Sequence, residues 1–304
     1  MQSADQIIQA LEAAGFRAAF LPMSAMEQVR EHYDTMLSRG PDTDWLKGTV
    51  EHFRSHQPPK LDFEPRSILV AALPCAGATL VLQRRGKHIP IAIPPAYINV
   101  SMQQRRFEGV LADAAQGCQL AQAKGVSQKL LAALSGVGQY GRNNICYVSD
   151  WGTYSWLETR YTDIPYEGPV QTQLRMEACE NCELCREACP TGAIGDRQVI
   201  DVTRCLTFQN ESRKRMPLWV PENAHHTLTG CLRCQECCPQ NPPVDYSHTL
   251  ELDENETRRL LSRSKRLPAD LEAKFLQFGC EKWTMAVYKR NARLAAKAKE
   301  NKDG

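Results

Sequence analysis

Eight of the thirteen cysteines in this 304-residue chain fall into one patterned stretch. Cys179, Cys182, Cys185 and Cys189 read C-x2-C-x2-C-x3-C and close on Pro190. Cys205 follows alone, and then Cys231, Cys234 and Cys238 read C-x2-C-x3-C and close on Pro239. Thiolates at these spacings hold iron–sulfur clusters: three of the first run bind one [4Fe–4S] cluster and the fourth reaches across to a second. The chemistry implied is one-electron transfer.

The two runs are halves of a worn repeat. An offset of 49 carries Cys182, Cys185, Cys189 and Pro190 onto Cys231, Cys234, Cys238 and Pro239, but carries Cys179 onto Leu228. The second half therefore lacks its first ligand, and Cys205 is the candidate replacement. The expected sets are Cys179, Cys182, Cys185 and Cys238 for cluster I, and Cys189, Cys205, Cys231 and Cys234 for cluster II. Cys237 falls on Ala188, which is not a ligand position. A frame using Cys237 in place of Cys238 stays open, although it breaks the C-P register. Zinc takes four ligands per ion and has no use for the third cysteine of C-x2-C-x2-C. A disulfide framework belongs to small secreted domains, and the first residues read as an amphipathic helix rather than a signal peptide. Cys75, Cys118, Cys146, Cys237 and Cys280 lie outside the ligand set, and a reduced cytoplasmic setting is the consistent expectation.

The elements that must carry these ligands can be outlined. Residues 1–60 read as helical, with Ile7, Leu11 and Ala14 on one face and a second helix near Met26–Leu37. Ser67–Leu73 is a short apolar run that predicts a buried strand. Residues 78–83 and 89–93 are expected to pair with it across a turn at Gly86. Helices are expected over 107–123 and 128–134, and a strand over 145–148. After Leu250 the pattern is helical, with Leu271, Phe275 and Phe278 on one face and Trp283, Val287 and Leu294 following; Asp303–Gly304 is expected to fray. Interleaved strands and helices predict an α/β or α+β layer domain over 1–170. A two-[4Fe–4S] module follows over 171–248, and a helical basic segment over 249–304. No run approaches 18 apolar residues, so no membrane span is expected. Net charge is +2, but 257–304 holds 13 Lys/Arg against 5 Asp/Glu. Such a tail serves a polyanion or is the solvated face of a terminal helix.

Gly136-Val-Gly138-Gln-Tyr-Gly141 is a literal G-x-G-x-x-G. A dinucleotide site needs a strand before the glycines and a helix after them. Here a helical stretch precedes and a strand follows. Two readings remain: a helix C-cap with a turn, or a loop whose backbone approaches a large flat ligand.

Taken together, the glycine loop Leu134–Asn144, the segments Trp151–Trp156 and Thr162–Pro165, and the cysteine order with lone Cys205 in Arg204–Asn210 resemble the epoxyqueuosine reductase family and its relatives, the corrinoid-dependent reductive dehalogenases. The resemblance covers residues 65–245. It implies an N-terminal domain similar to nitroreductase-type and cobalamin-trafficking folds, a ferredoxin-like two-cluster module, and a cobalamin cofactor. Gly136, Gly138, Tyr140, Gly141, Arg142 and Asn143 would line the corrinoid or the active-site wall. It also implies a low-potential electron donor of ferredoxin or flavodoxin type and a small-molecule or nucleoside substrate.

Two departures stand out. The family's proton-donating aspartate has no counterpart in Gln122–Lys129, so no catalytic residue is carried over; Tyr97, Lys124 and Tyr140 are the alternative donors. The stretch after the clusters offers some 50 residues where the tRNA-modifying enzymes extend into helical repeats, which argues against tRNA without excluding it. Of the histidines, His52 and His56 share a helix face, and His88, His225 and His226 sit in ordinary polar contexts. The leading expectation is an iron–sulfur, cobalamin-dependent reductase. The alternatives are an electron-transfer protein serving a partner and a tRNA epoxyqueuosine reductase.

Overall fold

The structure is a computed structural model that describes residues 3–195, 199–264 and 266–301. The fraying expected at Asp303–Gly304 lies outside the described residues. The chain begins α1 (Ala4–Ala13), β1 (Arg17–Pro22), α2 (Ala25–Arg39), α3 (Asp44–Ser55), β2 (Ser67–Pro74), β3 (Ala78–Arg84), β4 (Lys87–Ile93), α4 (Val100–Ala114), β5 (Leu120–Gln122) and α5 (Gln128–Ser135). It continues β6 (Gln139–Tyr140), β7 (Cys146–Tyr147), β8 (Ser155–Thr162), α6 (Leu184–Glu187), α7 (Leu206–Glu211), α8 (Arg233–Glu236), β9 (His248–Leu252), α9 (Glu254–Leu260), α10 (Ala269–Gln277) and α11 (Met285–Glu300). Two compact units result. Unit 1 holds Met1–Pro74, Met102–Glu183 and Ile194–Asp201; unit 2 holds Cys75–Ser101, Leu184–Ala193 and Val202–Gly304.

Unit 1 is an α/β layer built on an antiparallel sheet of order β1-β2-β8-β5. Ile68–Leu73 are buried on both faces of β2, which requires helices above and below and explains why the run is continuously apolar. Ile68, Val70 and Ala72 pack with Leu130, Leu131 and Leu134 of α5 on one face. On the other face the Phe107 ring of α4 lies 5.9 Å from Trp156 of β8. α1 starts on a capping box between Ser3 and Gln6 and buries Ile7 and Leu11, satisfying orphan donors at its N-terminus.

Unit 2 is built on a sheet of order β4-β3-β9, with β3 and β9 parallel. Leu80, Leu82, Ile89 and Ile91 pack against Leu271 and Phe275 of α10 and Tyr288 and Ala292 of α11. The basic C-terminal segment is therefore core structure. Arg259 pairs with Asp270, and Lys274 with Glu256 at 2.7 Å. Lys289 is buried and donates to Arg259 O at 2.6 Å, and Lys297 meets Glu222. Of these, Lys274 and Lys297 meet acids that lie outside residues 257–304. Among the described residues no helix is long and apolar enough to cross a membrane.

Several elements depart from expectation. Residues 17–22 form β1 inside the stretch read as helical, because Arg17–Pro22 pairs with β2 along its whole length. The strands at 78–84 and 87–93 pair with each other, as the Gly86 turn implies, but join β9 rather than β2. The helix expected over 107–123 runs 100–114 and gives way to β5, which pairs with β8. β8 and β9 were not anticipated. β8 carries Glu158 and Arg160, a pair that is polar in sequence yet buried as an ion pair, so its hydrophobic signature is broken.

Candidate metal centre

The cysteine repeat is visible as repeated backbone. α6 and α8 are both four-residue helices, and the 49-residue offset superposes their limits, Leu184–Glu187 on Arg233–Glu236. The Cys189 amide donates to Arg186 O and the Gly192 amide to Cys189 O; at the same offset the Cys238 amide donates to Gln235 O and the Asn241 amide to Cys238 O. Cys238 thus holds the structural position of Cys189, and Cys237 that of Ala188.

Cys189, Cys205, Cys231 and Cys234 all belong to unit 2 and lie close enough to perturb one another electrostatically. Burial pushes the Cys231 thiol up to about 12, and neighbouring Cys205 and Cys189 add to it. Burial likewise raises Cys234, reinforced by Cys231. Cys205 caps the N-terminus of α7; burial raises its thiol, while the Thr207 and Phe208 amides pull it back. Clustered soft donors suit a metal that binds thiolate outright, and the Arg233 cation beside Cys231 favours its thiolate form. The Ala193 amide donates to Cys189 Sγ at 3.3 Å, the kind of hydrogen bond to sulfur that adjusts a cluster's potential. Among the described residues no three His, Cys, Asp or Glu side chains converge on one point. A [4Fe–4S] group does not ask for that, since each thiolate binds a different iron. The donor set fits a cluster, which when bound supplies one-electron storage. Of the other set, Cys179 and Cys182 belong to unit 1, and Cys185 and Cys238 to unit 2.

His226, which reads in sequence as a histidine in an ordinary polar context, supports this module. His226 is buried with both ring nitrogens engaged: Nδ1 meets Ala224 O at 2.8 Å, and Nε2 accepts the Leu232 amide at 3.2 Å. Its ring is therefore neutral with the proton on Nδ1, and it holds the loop between Cys231 and Cys234. Burial depresses its pKa to about 4. Because the folded value lies below the unfolded 6.5, this contribution to stability is complete above pH 6.5 and is lost as pH falls towards 4. The loss amounts to about 3 kcal/mol. His225 is depressed to about 4 as well, first by burial and then by Arg290. Denaturant titrations at pH 7 and pH 4.5 are expected to show a smaller difference for His226→Gln, whose amide can still accept from Leu232, than for the unaltered chain.

The glycine loop serves the same end. α5 starts on Ser127 and stops at Gly136, which is left-handed at φ 79°. Gly138 and Gly141 lie against the β6–β7 hairpin. A Cβ on Gly138 would stand 2.5 Å from Cys146 Sγ and 2.7 Å from Tyr147 O, and one on Gly141 would run into the Tyr147 ring. Gly138→Ala is expected to cost about 2–3 kcal/mol, read as a lower midpoint in thermal unfolding. Tyr140 extends the hairpin: its amide donates to Leu174 O at 2.7 Å, and its carbonyl accepts from the Met176 amide at 3.0 Å. The segment that leads into Cys179 is thereby bridged to the hairpin, Arg175 opposite Tyr140. Arg142, 7% exposed, donates to Cys179 O at 3.0 Å and Glu180 O at 2.9 Å and pairs with Glu183 at 3.1 Å. Asn143 is buried; its amide donates to Tyr147 OH at 3.0 Å, and its oxygen accepts from the Ile145 amide at 3.2 Å.

Two clefts flank the loop. One, of about 470 Å³, is lined by Gly136, Gly138, Arg17 and Ser149. The other, of about 370 Å³, is lined by Tyr140, Arg142, His32, Arg39 and Arg175. Each has the size of a small-ligand site. The close approaches at Gly138 and Gly141 are filled by the chain itself, Arg142 bonds to the segment around Cys179, and Asn143 bonds to Tyr147 and Ile145, while Gly136, Gly138, Tyr140 and Arg142 also face the two clefts. Of the alternative proton donors, Lys124 is exposed. Tyr140 is buried, and burial raises its hydroxyl. Tyr97 donates a short hydrogen bond to Glu211.

Comparison with known proteins agrees with this arrangement. Residues 178–241 match the 4Fe-4S double cluster binding domain family. An epoxyqueuosine reductase of Bacillus subtilis (strain 168) is 29% identical over 121 residues, 40% of this chain and 31% of that protein. One from Synechocystis is 27% identical over 173 residues, 55% of this chain and 59% of that protein. The chain thus spans less than two thirds of the length of these curated relatives. A structure of the Bacillus subtilis reductase with its aspartate catalytic loop swung out of the active site aligns with a TM-score of 0.67 at 20% identity, covering 96% of this chain and 80% of that one. An epoxyqueuosine reductase crystallised with an epoxyqueuosine-modified tRNA stem loop gives 0.67 at 19%, with the same coverage. The chain carries a double [4Fe–4S]-binding domain and shares the fold of the epoxyqueuosine reductases, to which its sequence is similar.

Proposed function

We propose that the chain is an iron–sulfur reductase of the epoxyqueuosine reductase type, and that its substrate is a modified nucleoside carried in a tRNA loop. The observation that carries this reading is the joint presence of the eight-cysteine module and a fold that follows the reductases over 96% of the chain. In this reading Cys179, Cys182, Cys185 and Cys238 hold one cluster and Cys189, Cys205, Cys231 and Cys234 the other, with electrons drawn from a ferredoxin- or flavodoxin-type donor. The stem-loop complex of a structural neighbour supports tRNA. The cationic cleft beside Tyr140, with Arg39, Arg142 and Arg175 on its walls, is suited to phosphate or another anionic group. Cobalamin enters through family resemblance alone, and anaerobic absorbance titration decides whether it binds.

The missing acid separates this chain from the relative with the aspartate loop. Residues 122–129 form the end of β5, a left-handed turn at Gly125 and the Ser127 cap of α5, and none is acidic. Incubating the reconstituted protein with a reduced flavodoxin and an epoxyqueuosine-bearing stem-loop RNA is expected to yield queuosine, read by mass spectrometry of the digested RNA. No product under conditions where both clusters are reduced would remove the substrate assignment and leave an electron-transfer protein.

A further inference from the structure

Unit 2 presents an exposed apolar tip inside a basic loop, close to the cluster II ligands. In Arg213-Lys-Arg-Met-Pro-Leu-Trp219, Leu218 is 91% exposed and Trp219 48%, and Arg213, Lys214 and Arg215 are all exposed. Arg204, the residue before Cys205, is exposed too and holds its guanidinium 5.7 Å from the Trp219 ring. The nearest acids along the chain are occupied: Glu211 accepts from Tyr97, and Glu222 pairs with Lys297. Exposed tryptophan beside arginine is the composition of a binding hot spot, and an apolar centre ringed by charge marks an interaction surface.

The loop is held rigidly. Arg290 of α11 donates to Gln209 O at 2.9 Å, Asn210 O at 2.8 Å and Ser212 O at 2.6 Å, and also to Lys214 O. Asn291 donates to Asn210 O and Leu228 O, both at 2.9 Å. Charge-assisted bonds fix the backbone as far as Lys214, so the segment leading to Leu218 and Trp219 needs little ordering when a partner arrives. Beneath the tip, Met216 and Val220 pack with Leu206 and Cys231 in one small apolar cluster. The exposed loop thus abuts one proposed ligand directly and a second, Cys205, through its neighbours Arg204 and Leu206.

We propose that the Arg213–Trp219 loop is the docking surface for an acidic one-electron carrier protein that reduces cluster II. The cations steer an acidic partner, Leu218 and Trp219 supply the desolvated centre, and the packing through Met216 and Val220 brings the partner's face near Cys231. In the step itself the carrier loses one electron and the cluster gains one; no bond forms or breaks. The adjacency to Cys205 and Cys231 favours a carrier over RNA, although basic loops with aromatics also bind single strands. The proposal rests on the cluster reading given above, and the test separates the two.

The test uses the full reconstituted chain with reduced bacterial flavodoxin as the acidic probe, following cluster bleaching by stopped-flow absorbance at low and high salt. Charge reversal of Arg213, Lys214 and Arg215 to glutamate, and separately Leu218→Ser with Trp219→Ser, are expected to lower the second-order rate constant at least about tenfold. The charge-reversed protein should also lose most of the salt dependence. Iron content and reduction by dithionite should match the unaltered chain in both variants. Unchanged flavodoxin rates at full iron content would overturn the docking assignment alone. So would variants that lose affinity for a stem-loop RNA while accepting electrons from flavodoxin normally, which would give the loop to nucleic acid. A parent chain that takes up no iron would overturn the cluster reading, and this assignment with it.

Discussion

Replacing Cys234 with alanine is expected to lower the iron content of anaerobically reconstituted protein from about eight per chain to about four. Cys234 sits in unit 2 with Cys189, Cys205 and Cys231, half-buried among mutually perturbing thiols, so losing it removes one corner of a single cluster. Cys237→Ala is the decisive companion. Cys237 occupies the position of Ala188 in the repeat, whereas Cys238 repeats the backbone bonds of Cys189. Cys237→Ala should therefore retain about eight irons, and Cys238→Ala should fall to about four. Iron quantification together with electron paramagnetic resonance of the reduced protein reads both outcomes. If Cys237→Ala lost iron while Cys238→Ala kept it, the ligand frame would shift by one residue.

Arg142→Ala is expected to destabilise unit 1 by about 2–4 kcal/mol and to impair assembly of the cluster that uses Cys179 and Cys182. Arg142 is buried and binds two carbonyls of the ligand segment, Cys179 O and Glu180 O. Its ion pair to Glu183 counts for less, because that carboxylate is 40% exposed. Removing the guanidinium leaves two carbonyls without donors and frees the segment that Tyr140 attaches to the hairpin. Arg142→Lys should recover only part of the loss, since a single ammonium cannot reproduce the planar fork. Denaturant unfolding measures the stability change, and iron content measures the assembly defect. A residue that served only to contact a ligand would change neither.

These two expectations stand at different distances from the sequence. Cysteine spacing is a local property: two residues separate neighbouring ligands of one cluster within a run, and three precede the cysteine that crosses to the other cluster, so the pattern is legible before any fold is known. The offset of 49 was equally legible, and α6 and α8 reproduce it residue for residue. The apolar run of β2 and the helices α2, α5, α10 and α11 were also readable, because each buries a continuous or periodic face. β8 was not. Its Glu158 and Arg160 satisfy each other within the core, and a pattern of hydrophobicity cannot show a charge neutralised by a neighbour. Nor could it show that β3 and β4 would leave β2 and take β9 as a parallel partner, since that pairing spans some 170 residues.

The sequence by itself determined that this protein handles electrons on thiolate-held clusters, because ligand chemistry is fixed by residue type and short spacing. Only the tertiary structure decided what the glycine loop packs against. Gly138 and Gly141 permit close packing of a hairpin, the Tyr140 backbone bridges the segment leading to Cys179, and Arg142 clasps the carbonyls of Cys179 and Glu180. The physical reason is that a glycine or an arginine carries no mark of what it will touch. A backbone that approaches another backbone and one that approaches a flat ligand are written with the same residues, and long-range packing alone distinguishes them.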